Sequence, residues 1–103
     1  MRVLAQSPLR WTLFETSPGS YVLSVLCGRV LQYGVELRLT EDEARAFEEG
    51  GEPSIDVLAD GVYADPDRYK GRAISGFAKQ DGWKRAIDDW EEAQQLTPGA
   101  KTD

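Results

Sequence analysis

Residues 30–39 read VLQYGVELRL, with Leu31, Tyr33, Val35, Leu37 and Leu39 facing one way and Gln32, Gly34, Glu36 and Arg38 the other. Alternation with period two over this length is what a half-buried antiparallel strand requires. The pattern changes at once after Leu39. Thr40-Glu41-Asp42-Glu43 places a hydroxyl three residues before a glutamate. That spacing makes a capping box, in which the threonine oxygen accepts from the amide of residue 43 and the Glu43 carboxylate accepts from the amide of residue 40. Three acids in the first turn also complement the positive end of the helix dipole. A strand that runs straight into a capped helix sets the class as α+β.

The remaining elements follow from the same signals. WTLFETSPGSYVLSVLCG reads as a hairpin: Trp11, Leu13 and Glu15 alternate with Thr12 and Phe14, and Ser17-Pro18-Gly19-Ser20 carries proline and glycine where a type II turn needs them. The return strand, Tyr21 to Cys27, is apolar on both faces and therefore central. Gly50-Gly51 ends the first helix. A second helix is expected from Ser54 as N-cap, with Ile55, Leu58, Ala59 and Val62 forming its buried stripe, and it must stop before Pro66. ADPDRYKGR then reads as a turn, and Ala73 to Ala78 as either a short edge strand or a loop. Trp83, Ile87, Trp90 and Ala93 share one stripe of a third helix over 83–96, capped by Asp81 or Gly82. A tryptophan stripe at this spacing is more often core than interface. The expected architecture is one domain over 1–96, a three- or four-stranded antiparallel meander with a helical hairpin at 40–65 and a C-terminal amphipathic helix on the sheet, followed by a flexible tail over 97–103.

Charge is distributed unevenly. Residues 1–40 carry four basic and two acidic side chains, residues 41–67 one and ten, and residues 68–103 seven and six. Residues 41–67 therefore carry a charge of −9, and the +2 and +1 of the flanking segments bring the formal net charge to −6. This disfavours direct contact with nucleic acid or an anionic membrane and suits a cationic partner, although acidic helices also serve simply to keep a small protein soluble. No apolar run approaches the length of a membrane span or of a signal-peptide core, and the single cysteine rules out an internal disulfide; a soluble cytoplasmic protein is the expectation.

The chain contains no histidine, which excludes Ser-His-Asp and Cys-His designs and the commonest acid/base near neutral pH. Cys27 reads as structural, with a pKa lowered slightly if Arg29 lies near. Paired carboxylates can act as acid and base, but only where a pocket raises one pKa, and helix-surface acids are solvated. Asp65 and Asp67 fit the first and third positions of a calcium loop, but Lys70 stands where its glycine belongs and Gly76 where its glutamate belongs. Neither GxGxxG nor GxxxxGK[ST] occurs. A non-catalytic protein without metal or cofactor is expected.

What remains is a surface. At 100° per residue Glu41, Arg45, Glu48 and Glu52 fall in one band with Glu49 beside it, while Phe47 faces the core; Asp56 and Asp60 are neighbours on the second helix. The stretch from Tyr21 to Arg72, with its short strands, Leu-Thr-x-x-Glu helix start, Gly-Gly break and second helix ending in Asp-Pro, resembles the small acidic immunity proteins that bacteria encode beside polymorphic or secretion-system toxins. The resemblance implies a cytoplasmic inhibitor of a cognate, basic protein toxin and assigns no residue roles. The candidate partner-binding residues are Glu41, Glu48, Glu49, Glu52, Asp56, Asp60, Tyr63, Asp65, Asp67 and Tyr69, with the two tyrosines as anchors. Two alternatives use other chemistry: an acidic nucleic-acid mimic that inhibits a DNA-binding enzyme, and an adaptor that docks through Trp83 and Trp90.

Overall fold

Four strands pair in sequence order as an antiparallel meander: β1 (Arg2–Ser7), β2 (Trp11–Ser17), β3 (Ser20–Cys27) and β4 (Tyr33–Arg38). Three helices follow, α1 (Glu41–Gly50), α2 (Glu52–Ala64) and α3 (Trp83–Gln95), with 3-10 turns at Pro66–Arg72 and Phe77–Lys79 between the last two. This computed structural model describes residues 1–28, 30–80 and 82–95. The expected Asp81 cap and flexible tail over 97–103 lie outside the described residues.

The fourth strand is N-terminal β1, not the segment after Arg72. Its register on β2 shifts between Val3 and Ala5, so a bulge at Leu4 interrupts the alternation that would have marked it as a strand. The turn into β2 is Ser7-Pro8-Leu9-Arg10, closed by the Arg10 amide donating to the Ser7 carbonyl at 2.9 Å, and Leu9 takes a positive φ of 65° where glycine is usual. The next turn keeps the expected residue, Gly19, at φ +78°. Ala73 makes only an isolated bridge to Leu37, and the Ile74 amide donates to the Glu36 carbonyl at 2.7 Å before the chain turns away. Pairing on β4 begins at Tyr33 and leaves Leu31 exposed, whereas Val35, Leu37 and Leu39 are buried as the alternation requires.

The sheet is covered on both faces. On one, Trp11, Leu13, Leu23, Val25 and Leu37 pack against Ile55, Ala59 and Val62 of α2, with Phe47 of α1 alongside. On the other, Val3, Phe14 and Val22 pack against Phe77 and Ala86, with Trp83, Ile87 and Trp90 of α3 half-buried against them. Phe14 and Phe77 meet edge-to-face at 5.1 Å. Both tryptophans of α3 therefore face the core, and Ala86 rather than the exposed Ala93 completes the stripe. The second helix starts earlier than expected. Gly51, at φ +74°, is its N-cap, Pro53 occupies its first turn, and the Ser54 hydroxyl donates back to the Gly51 carbonyl at 2.8 Å. Proline is tolerated there because a first-turn amide has no intrahelical partner.

Candidate functional site

The helical hairpin is fixed to the sheet by acids. The expected capping box is present: the Glu43 amide donates to the Thr40 hydroxyl at 3.2 Å and the Thr40 amide to the Glu43 carboxylate at 2.9 Å. The same carboxylate receives Arg72 at 2.5 and 3.1 Å, and Arg72 also donates to the Arg38 carbonyl at 3.0 Å, tying α1 to β4 and to the 3-10 turn. Burial pushes the Glu43 carboxyl up, but hydrogen bonds and charge from Arg72, together with the Thr40 amide and hydroxyl, outweigh it and hold the group below the usual carboxylate value. Glu43 is thus a cap and an ion-pair partner.

Of the ten candidate residues, several are likewise engaged. Glu48 accepts from the Tyr21 hydroxyl at 2.7 Å, and that ring meets Phe47 edge-to-face at 5.5 Å. The Glu48 hydrogen bond, burial and nearby carboxylate charge raise the Tyr21 pKa. Asp56 accepts from the buried indole Nε1 of Trp11 at 2.8 Å and from Arg10 at 3.4 Å, and Arg10 also reaches Asp60 at 2.5 Å. Asp67 pairs with Lys70 at 3.3 Å. Tyr69 is half-buried against the α2 core, with Arg68 and Arg72 at 6.0 and 5.8 Å from its ring. A methyl group on Gly61 would sit 3.1 Å from the Tyr69 hydroxyl, so the glycine makes room for it. Among the described residues, the carboxylates of Glu41, Glu49, Glu52 and Asp65 are exposed and have no side-chain partner. The acids of α1 and those of α2 attach to opposite ends of the sheet, since Tyr21 pairs with Glu15 at one end of the β2–β3 ladder and Trp11 pairs with Val25 at the other.

Cys27 is buried with its sulfur 4.0 Å from the Val62 carbonyl oxygen, and burial raises its pKa; Arg29, on which the expected lowering depended, lies outside the described residues. Among the described residues, no three His, Cys, Asp or Glu side chains are arranged to hold a metal ion, and no helix is long and apolar enough to cross a membrane.

A second surface is absent from the sequence-based candidates except for Asp60 and Tyr63. At the end of the sheet where β1 turns into β2 and β3 into β4, a cleft of about 370 Å³ is lined by Leu9, Arg10, Leu26, Ala59, Asp60 and Tyr63, among others. The Leu26 amide of β3 donates to the Arg10 carbonyl at 2.8 Å and ties the β1–β2 turn to β3. The signal that points to it is Ser7-Pro8, which repeats the opening of the Ser17-Pro18 turn and makes Leu9 and Arg10 turn residues at a strand end. No known protein family, curated protein or solved structure matches this chain.

Proposed function

We propose that the chain is a non-catalytic inhibitor that binds a cognate, basic protein toxin in the cytoplasm through its acidic helical layer, as an immunity protein does. The observation that supports this reading best is the set of carboxylates without a side-chain partner among the described residues, Glu41, Glu49, Glu52 and Asp65, on or just after helices that Glu43–Arg72, Glu48–Tyr21 and Asp56–Trp11 hold against the sheet. Inhibition requires no reacting group, only a rigid surface of roughly 800 Å² that covers the toxin's site or blocks a movement it needs. Acids with no internal partner meet a cation at little rearrangement cost. They accelerate encounter more than they slow release, because exposed charges act over roughly the Debye length.

The adaptor reading is less well supported, because Trp83 and Trp90 are half-buried against the cluster that holds Phe14, Val22 and Phe77. The nucleic-acid-mimic reading uses the same carboxylates and differs in its partners. Co-purification with the product of the adjacent gene, using wild type and a Glu41→Lys, Glu49→Lys, Glu52→Lys variant, tests the proposal. A stoichiometric complex with wild type and a slower association rate for the variant are expected. Unchanged association would make these acids a solvated face only, and capture of several unrelated DNA-binding proteins would favour the mimic.

A further inference from the structure

Seven large apolar side chains are exposed among the described residues; Leu9 and Tyr63 line the cleft, and Val30, Leu31 and Tyr33 lie in the β3–β4 connection and at the start of β4, at the same end of the sheet. Leu9 is 89% exposed, Val30 99% and Leu31 82%. Apolar side chains left this exposed at one end of a small domain are what an interface covers. Leu9 is doubly unfavourable in an isolated chain. It is the one described non-glycine residue with positive φ, a conformation that suits glycine or asparagine, and its side chain has almost no intramolecular contact to compensate.

We infer that this end of the sheet is the interface of a two-fold symmetric homodimer, in which Leu9 and Leu31 of each copy enter the other copy's cleft. Two observations select a second copy of the chain as the occupant. The first is charge. Helix α1, residues 41–50, carries five acids and one base, so two copies repel wherever it faces its counterpart. At the cleft, among the described residues, Arg10 lies beside Asp60 and Asp56, so both signs are present, and a two-fold axis sets the arginine of one copy toward the aspartates of the other. The second is shape. Protruding Leu9 and the hollow lined by Leu26, Ala59 and Tyr63 lie side by side on one patch. A knob and hole on a shared patch close as an isologous pair, whereas a knob and hole on different faces would propagate as a filament.

The interface leaves α1 open, since α1 is held by Tyr21 at the opposite end of the sheet, and the inference does not rest on the inhibitor reading. Sedimentation velocity from low to high micromolar concentration tests it. Wild type should show a monomer–dimer equilibrium that changes little with salt. Leu9→Gly and Leu31→Asp should each weaken it by about tenfold or more, while Val57→Asp, an exposed apolar site elsewhere on α2, should not. Leu9→Gly relieves the backbone, so at a concentration low enough to keep wild type monomeric its melting temperature should not fall, which separates lost association from lost folding. A wild type that stays monomeric throughout, species larger than a dimer, or a dimer that Leu9→Gly and Leu31→Asp leave intact would each overturn the inference.

Discussion

Asp56→Ala should destabilise the protein far more than Asp60→Ala, although both aspartates contact Arg10. The difference lies in Trp11, which is 3% exposed and donates its indole N–H to Asp56 at 2.8 Å. Removing Asp56 leaves that donor without its partner, which costs about 1–3 kcal/mol. Solvent that reaches the vacated position sets the lower end. Alanine's better helix propensity returns roughly 0.5 kcal/mol in either variant. Asp60 is 70% exposed, and an ion pair at that exposure contributes between zero and about 1 kcal/mol, so Asp60→Ala should be nearly neutral. Thermal unfolding followed by far-UV circular dichroism should show a drop of roughly 5–15 °C for Asp56→Ala and only a few degrees for Asp60→Ala. Asp56→Asn keeps an acceptor for the indole and should recover most of the loss. An Asp60→Ala cost equal to that of Asp56→Ala, or an Asp56→Asn variant as unstable as Asp56→Ala, would refute the reasoning.

Three further outcomes follow from the same contacts. The Glu43 carboxyl is held below the ordinary glutamate value, so its contribution is fully present above that value and is lost as pH falls through the lower folded one. Acid titration of stability should therefore flatten below pH 4.5 in Arg72→Ala relative to wild type; parallel curves would contradict the linkage. Cys27 should react with a thiol reagent only through opening of the α2–sheet core, at a rate that rises with denaturant; rapid modification of the native protein would place the thiol at the surface. Gly61→Ala should be near neutral alone, because helix propensity offsets the 3.1 Å approach to the Tyr69 hydroxyl. In a Tyr69→Phe background the same change should stabilise by about 0.5–1 kcal/mol in urea denaturation, and equal effects in both backgrounds would remove the Tyr69 hydroxyl from the explanation.

Elements set by neighbouring residues were legible in the sequence. The Thr40–Glu43 capping box, the Ser17–Ser20 turn and the buried stripe of α2 each involve residues within a few positions of one another, and all three are present. β1 was not legible because the Leu4 bulge breaks its period and its turn uses leucine where glycine would have marked it. The start of α2 was misplaced by three residues, because Ser54 carries the usual capping hydroxyl whereas the N-cap is Gly51, with Pro53 inside the first turn. Placing α1 and α2 on one face of the sheet and α3 on the other is a matter of long-range packing, which local periodicity does not encode. The candidate site divides along the same line. Its acids were visible, but the residues that engage them were not, since Tyr21 is 27 positions from Glu48 and Trp11 is 45 from Asp56.

The measurement that bears most directly on the proposed function is the association rate of the purified complex with the adjacent-gene product, followed by stopped flow over a range of ionic strength. Steering by exposed carboxylates predicts an association rate that falls about tenfold or more from low to physiological salt, with a dissociation rate that hardly changes. An association rate indifferent to salt, or the absence of any complex at low salt, would contradict it.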